Sequence, residues 1–176
     1  KKKKNDKPYQ TNIANPKFAK WIIQLESSAS ELRQSARKSL TKLGKPAVSA
    51  LAEALGSASE MRRWEAAKSL EAICDPDAVP ALVEALTDDT SVKWVAGDAL
   101  IALNEKAVPE ILHALIKDPA EFRDGACFVL HHLASDNEDL RDTLTPVVHA
   151  LKSLDSSMTV PVEALEALSK LSAAGS

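Results

Sequence analysis

The chain reads as an all-α solenoid, a superhelix of about five short helix pairs, for three reasons. Helical phrases recur at a stride of 30 residues, with Leu32, Arg62, Val92 and Phe122 in equivalent places. A second phrase alternates with them: Ala47-Val-Ser-Ala-Leu51, Ala78-Val-Pro-Ala-Leu82, Ala107-Val-Pro-Glu-Ile111 and, more loosely, Leu144-Thr-Pro-Val-Val148. Gly is scarce, at 5 of 176 residues, while Leu, Ala, Glu and Lys dominate the repeats, a composition that favours helix.

Taken in order, Asn15 is placed to cap the first helix, with Pro16 at its first helical position and an apolar stripe of Phe18, Trp21, Ile22 and Leu25 behind it. Each unit then consists of an A helix followed by a B helix. Ser28-Ala-Ser-Glu31, Ser57-Ala-Ser-Glu60 and Asp118-Pro-Ala-Glu121 have capping-box spacing just ahead of three B helices. Pro80 and Pro109 mark the start of two A helices, because a first-turn residue has no intrahelical N–H bond to lose. The expected units are 16–44, 46–74, 77–104, 106–134 and 142–172, forming one repeat domain over 15–172 between a mobile basic tail, 1–14, and a short tail, 173–176. The last unit departs from the pattern, since the stride to its Val160-Pro-Val-Glu-Ala164 phrase lengthens from 30 to 38. The polar stretch from Ser135 to Asp142 supplies the extra residues, as a longer loop or an early turn of helix.

Several function classes are disfavoured. A formal net charge of −3 provides no global field for a polyanion, which argues against a nucleic-acid partner. No apolar run approaches the roughly 18 residues of a membrane span, so the expected setting is cytoplasmic and free of membrane. The chain opens on Lys1, which leaves room for a removed upstream segment. Cys74 and Cys127 have no Cys-x-x-Cys spacing and read as buried, inert thiols. His131 and His132 leave a helix about 100° apart and cannot share a metal as i, i+4 pairs do. His113 and His149 fall where other units carry Glu53 and Glu84, a solvated position. With no glycine-rich phosphate loop and no Gly-x-Ser-x-Gly elbow, no catalytic residue, metal ligand or cofactor is expected.

Counting each B phrase from position 0, helical geometry puts positions 0, 4, 8 and 11 on a core stripe. Positions 2, 6 and 9 lie opposite: Gln34, Lys38, Thr41; Trp64, Lys68, Glu71; Trp94, Asp98, Ile101; Asp124, Phe128, His131. Position 1 is basic throughout, as Arg33, Arg63, Lys93 and Arg123. That column admits phosphate binding or structural pairing to loops, and its place beside the core stripe favours the second.

The apolar-Arg-x-x-Ala-x-x-x-Leu and Ala-Val-Pro-x-Leu phrases resemble short HEAT repeats of the phycobilisome-lyase-like type, over about residues 16–172. The resemblance implies that B helices line a concave side, which would leave Trp64, Trp94, Ile101 and Phe128 uncovered beside Lys68, Asp98, Asp124 and His131. With helices 8–10 Å apart, Trp64, Trp94 and Phe128 would span roughly 20 Å as a partner-binding row, unless the rings fold over a neighbouring helix as packing. The resemblance also implies a structural role for the basic column, with an Asp partner in the preceding turn. Only Asp88 or Asp89 and Asp118 match that partner, so the column is expected to be incomplete in the first two units. The implied function is a non-catalytic scaffold for a protein or peptide, with a bilin lyase or chaperone subunit as the alternative. No His is followed directly by Glu, which speaks against the di-iron hydroxylase branch of HEAT-like enzymes.

Overall fold

The computed structural model describes residues 16–88, 90–153 and 155–174, with the side chains of residues 16 and 17 outside that description. The expected basic tail, the Asn15 cap, Asp89 and the last two residues of the expected C-terminal tail lie outside the described residues. Ten α-helices and no strand occur among those described: α1 (Pro16–Gln24), α2 (Ser30–Leu43), α3 (Val48–Leu55), α4 (Glu60–Ile73), α5 (Val79–Glu84), α6 (Val92–Leu103), α7 (Val108–Lys117), α8 (Pro119–Asp136), α9 (Glu138–Lys152) and α10 (Ser156–Ala174). Ala173 and Ala174, expected in a tail, continue α10.

The architecture is an all-α solenoid. The even-numbered helices α2, α4, α6 and α8 pack successively on one another as a B layer, and the odd-numbered helices α1, α3, α5 and α7 stack behind them. Small side chains line the core stripe of the B layer: Ala36, Ala66, Ala96 and Ala126 are fully buried. Leu40, Leu70, Leu100 and Leu130 fill the space between layers and are likewise buried. Position 0 is more varied. Val92 and Phe122 are buried, but Leu32 is 45% exposed, with no earlier B helix among the described residues to cover it. Arg62 takes this place on α4, where its guanidinium pairs with Glu26 and its Nε is buried without a hydrogen-bond partner.

Of the three expected capping boxes, one places its N-cap where the spacing puts it. Asp118 accepts from the Glu121 amide at 3.0 Å and caps α8. In the other two, a serine stabilises the turn instead. Ser57 Oγ accepts from the Ser59 amide at 3.2 Å, and Ser59 becomes the cap of α4 by accepting from the Arg62 amide at 3.3 Å. Ser27 Oγ similarly accepts from the Ala29 amide, so α2 begins after Ala29 with no side-chain cap. A serine hydroxyl can bond the backbone two residues on as readily as an N3 amide, and here that local turn displaces the helix start.

Between B and A helices the chain makes a one-turn 3₁₀ segment: Lys45–Ala47, Pro76–Ala78 and Asn104–Ala107. Pro80 and Pro109 follow as the second residues of α5 and α7, where a missing N–H costs nothing. After α8 this device is absent. A single residue, Asn137, ends α8 and caps α9 through the Asp139 amide at 3.0 Å. So short a turn makes α9 fold back directly on α8.

The last pair therefore exchanges layers. α9 packs on α8, extending the B layer, while α10 packs on α7 and α9. Helices α7 to α10 close a ring of contacts, α7 on α8, α8 on α9, α9 on α10 and α10 on α7. The Val160 phrase, expected on a B helix, lies in a helix of the A layer. Pro146, the counterpart of Pro80 and Pro109 in its phrase, stands inside α9, and Pro161 stands inside α10. The outer face of α10 leaves Met158, Val162 and Leu165 exposed.

The cysteines also differ from expectation. Cys74 is exposed at the C-terminal cap of α4, in the left-handed conformation with φ 52°. Cys127 is half-buried, and burial pushes its thiol up, against the pull of Lys152 and Arg123 and with a further push from Asp124.

Candidate binding groove on the B-layer face

The residues expected on the open face divide into three groups. Trp94, Asp124, Phe128 and His131 line one open, shallow groove across α6 and α8. Trp64 and Lys68 form a separate cluster on α4, where the half-buried indole packs against the core with the Lys68 ammonium 6.0 Å from its ring centroid. Lys68 is also held by Glu71 at 2.8 Å. Asp98 is exposed, and Ile101 is half-buried against the core. The continuous three-ring row is thus broken at Trp64, whose ring lies against the core.

Within the groove the rings are ordered by their neighbours. Trp94 is 48% exposed and meets Phe128 edge to face, with centroids 5.3 Å apart, an arrangement favoured by the ring quadrupoles. Phe128 lies over the backbone of α6, where Gly97 has no Cβ; one there would stand 2.7 Å from the Phe128 ring. On the other side Phe128 contacts His132 at 4.6 Å, and His132 Nδ1 donates to the Phe128 carbonyl at 2.8 Å. Phe128 is consequently a packed wall, while Trp94 is the ring left open.

Three further residues line the groove that the sequence does not mark as part of it: Cys127, His132 and Lys152. The i, i+4 spacing of Phe128 and His132 is a usable signal. Lys152 has none, since it reaches the groove only because α9 enters the B layer.

The basic column serves the turns between layers. Arg33 Nη1 donates to the Ser27 carbonyl at 2.6 Å and the Ser28 carbonyl at 3.1 Å, and its Nε reaches Glu65 at 3.3 Å. Arg63 repeats this with the Ser57 and Ala58 carbonyls at 3.0 and 3.3 Å, and pairs with Asp88 at 2.6 Å. Arg123 donates to the Leu151 and Ser153 carbonyls at 2.9 and 3.1 Å. The anionic partner lies in the following unit, and the first unit is not left short: buried Glu65 takes Arg33 and also Arg37 at 3.1 Å. Lys93 differs, with its ammonium 5.9 Å from the Trp94 centroid. Arg63 and Thr90 surround Asp88. Burial pushes that carboxyl up, but hydrogen bonds from Arg63 and from the Thr90 hydroxyl and amide outweigh it and hold the carboxyl below its ordinary value.

Among the described residues no group of three or more His, Cys, Asp or Glu is arranged to hold a metal, and no helix is long and apolar enough to cross a membrane. Among solved structures, the crystal structure of an engineered protein from the Northeast Structural Genomics Consortium is similar at 24% identity and a TM-score of 0.47, covering 88% of this chain and 78% of its own. A second engineered protein from the same consortium is similar at 22% identity and a TM-score of 0.42; 91% of this chain is covered, but only 49% of the other. Comparison with curated proteins finds no match. The stretch from α1 to the end of α6, residues 18–104, matches the family described as HEAT repeats.

Proposed function

We propose that this chain is a non-catalytic scaffold that binds a protein or peptide in the groove across α6, α8 and α9. The observation that carries this reading is Trp94: a large ring, half exposed, in edge-to-face contact with a packed Phe128 on the wall of an open groove. Tryptophan is enriched among residues that dominate interface energy, and a supported ring loses little freedom on binding. The HEAT-repeat match agrees with this role, since stacked helix pairs present extended surfaces for recognition.

The test compares the wild-type chain with Trp94→Ala in affinity capture from the native lysate. The variant should keep its melting temperature, because the ring is half in solvent, and lose at least about 1 kcal/mol of affinity for whatever the wild type retains. Unchanged retention by a folded variant would exclude the groove as the binding surface. The alternative role implied by the resemblance, bilin handling, makes a different expectation: a bilin added to the chain would shift its visible absorption band.

A further inference from the structure

Beyond Trp94 and Phe128 the groove continues into a cleft between α8 and α9. His131, Ala134 and Ser135 of α8 and Arg141, Thr145, Val148, His149 and Lys152 of α9 line it, and His131 and Lys152 border both parts. Arg141, Thr145, His149 and Lys152 follow at intervals of four, four and three, which sets them along one face of α9. Every ionisable side chain lining this cleft is basic or a histidine.

The surrounding charges divide by position. Arg141 is partly engaged: its Nε and Nη2 donate to the Ala134 and Ser135 carbonyls at 3.3 and 3.2 Å, and Glu138 stands 4.0 Å from Nη1. Asp124 lies at the aromatic end, where it borders the groove with Lys152, and Asp98 is on α6 beyond it. Neither the Lys152 nor the His149 side chain makes a salt bridge or hydrogen bond among the described residues. Carboxylates flank this row at its two ends, Glu138 beside Arg141 and Asp124 beside Lys152, while the cleft between them is lined by cationic and histidine groups and has an anionic complement.

We infer that the groove takes an acidic peptide segment, with an apolar side chain against Trp94 and Phe128 and its carboxylates along His131, His149 and Lys152. This deepens the scaffold reading and rests on it. An anion on this wall gains charge-assisted hydrogen bonds from Lys152 and the imidazoles, while the ring pair supplies the apolar contact.

The experiment is fluorescence anisotropy on the full chain with three fluorescein-labelled, end-blocked peptides, each with one Phe followed by three Glu, three Gln or three Lys. The Glu peptide should bind about tenfold tighter than the Gln peptide, and the difference should shrink as salt is raised. In the double variant His149→Glu/Lys152→Glu that preference should vanish, whereas Lys152→Arg should retain it. Both changed positions are exposed, and circular dichroism verifies that the variants fold. Equal binding of the Glu and Gln peptides, tightest binding of the Lys peptide, or no binding of the Glu peptide would each overturn the inference. Trp94→Ala separates the two readings: it should weaken all three peptides alike, and if Gln or Lys peptides bind in a Trp94-dependent way without preference for Glu, the scaffold reading survives while the acidic partner does not.

Discussion

Gly97 and Gly125 are equivalent neither in what they approach nor in what a methyl group would cost. A Cβ at Gly125 would meet the Leu86 Cβ at 2.7 Å and the Leu86 carbonyl oxygen at 2.9 Å, so backbone would have to move. Gly125→Ala should destabilise the chain by about 2 kcal/mol in urea unfolding despite alanine's better helix propensity. At Gly97 the obstacle is the Phe128 ring, a side chain that can turn. Gly97→Ala should cost less than Gly125→Ala but alter Trp94 fluorescence, as the edge-to-face contact is lost. Cys74 offers the reverse case. Its φ of 52° is strained for a side-chain-bearing residue, and Cys74→Gly should raise stability by about 0.5–1 kcal/mol. Thiol labelling should separate the two cysteines: exposed Cys74 reacts first, and half-buried Cys127, its thiol pushed up by burial, reacts slowly at neutral pH.

Between elements, the position-1 arginines work as ties from one unit's turn to the next. Arg63 and Asp88 are both largely buried, so their contact is not an ordinary surface ion pair. Because the folded chain holds Asp88 below its ordinary value, this contribution is complete above the unfolded carboxylate pKa of about 4 and is lost as pH falls through the lower folded value. Asp88→Asn should therefore cost about 1 kcal/mol at neutral pH, and the gap between variant and wild type should close in acid denaturation below about pH 4. A gap that is unchanged by acid would show that the tie stabilises through packing alone. Glu65, on α4 of the second unit, is the corresponding anchor for Arg33 of the first, and it comes from a helix, not a turn, because the turn before α4 offers only glycine, serine and alanine.

Across the whole molecule, the exchanged last pair changes how the stack ends. In a regular solenoid each unit touches only its neighbours, and stability adds unit by unit. Here α7, α8, α9 and α10 enclose a shared core that includes Leu112, Leu115, Leu130, Leu144 and Leu151, all buried. Hydrogen exchange should show these four helices opening together as one unit, while α1, nine residues long and packed among the described residues mainly on α2 and α3, opens at lower free energy. Separate exchange classes for α10 and α7 would contradict that shared core. Much of this was readable from the chain: the 30-residue stride, the buried Ala and Leu positions, the Asp118 cap and the outward place of Trp94 follow from helical period and short-range hydrogen bonding. The layer occupied by α9, the turning of Trp64 onto the core, and the arrival of Lys152 and His149 beside His131 were set by packing. Periodicity tells which face of a helix is apolar; which neighbour covers it depends on the length of the preceding turn and on the helix already in place, a contact between segments far apart in sequence that no local pattern encodes.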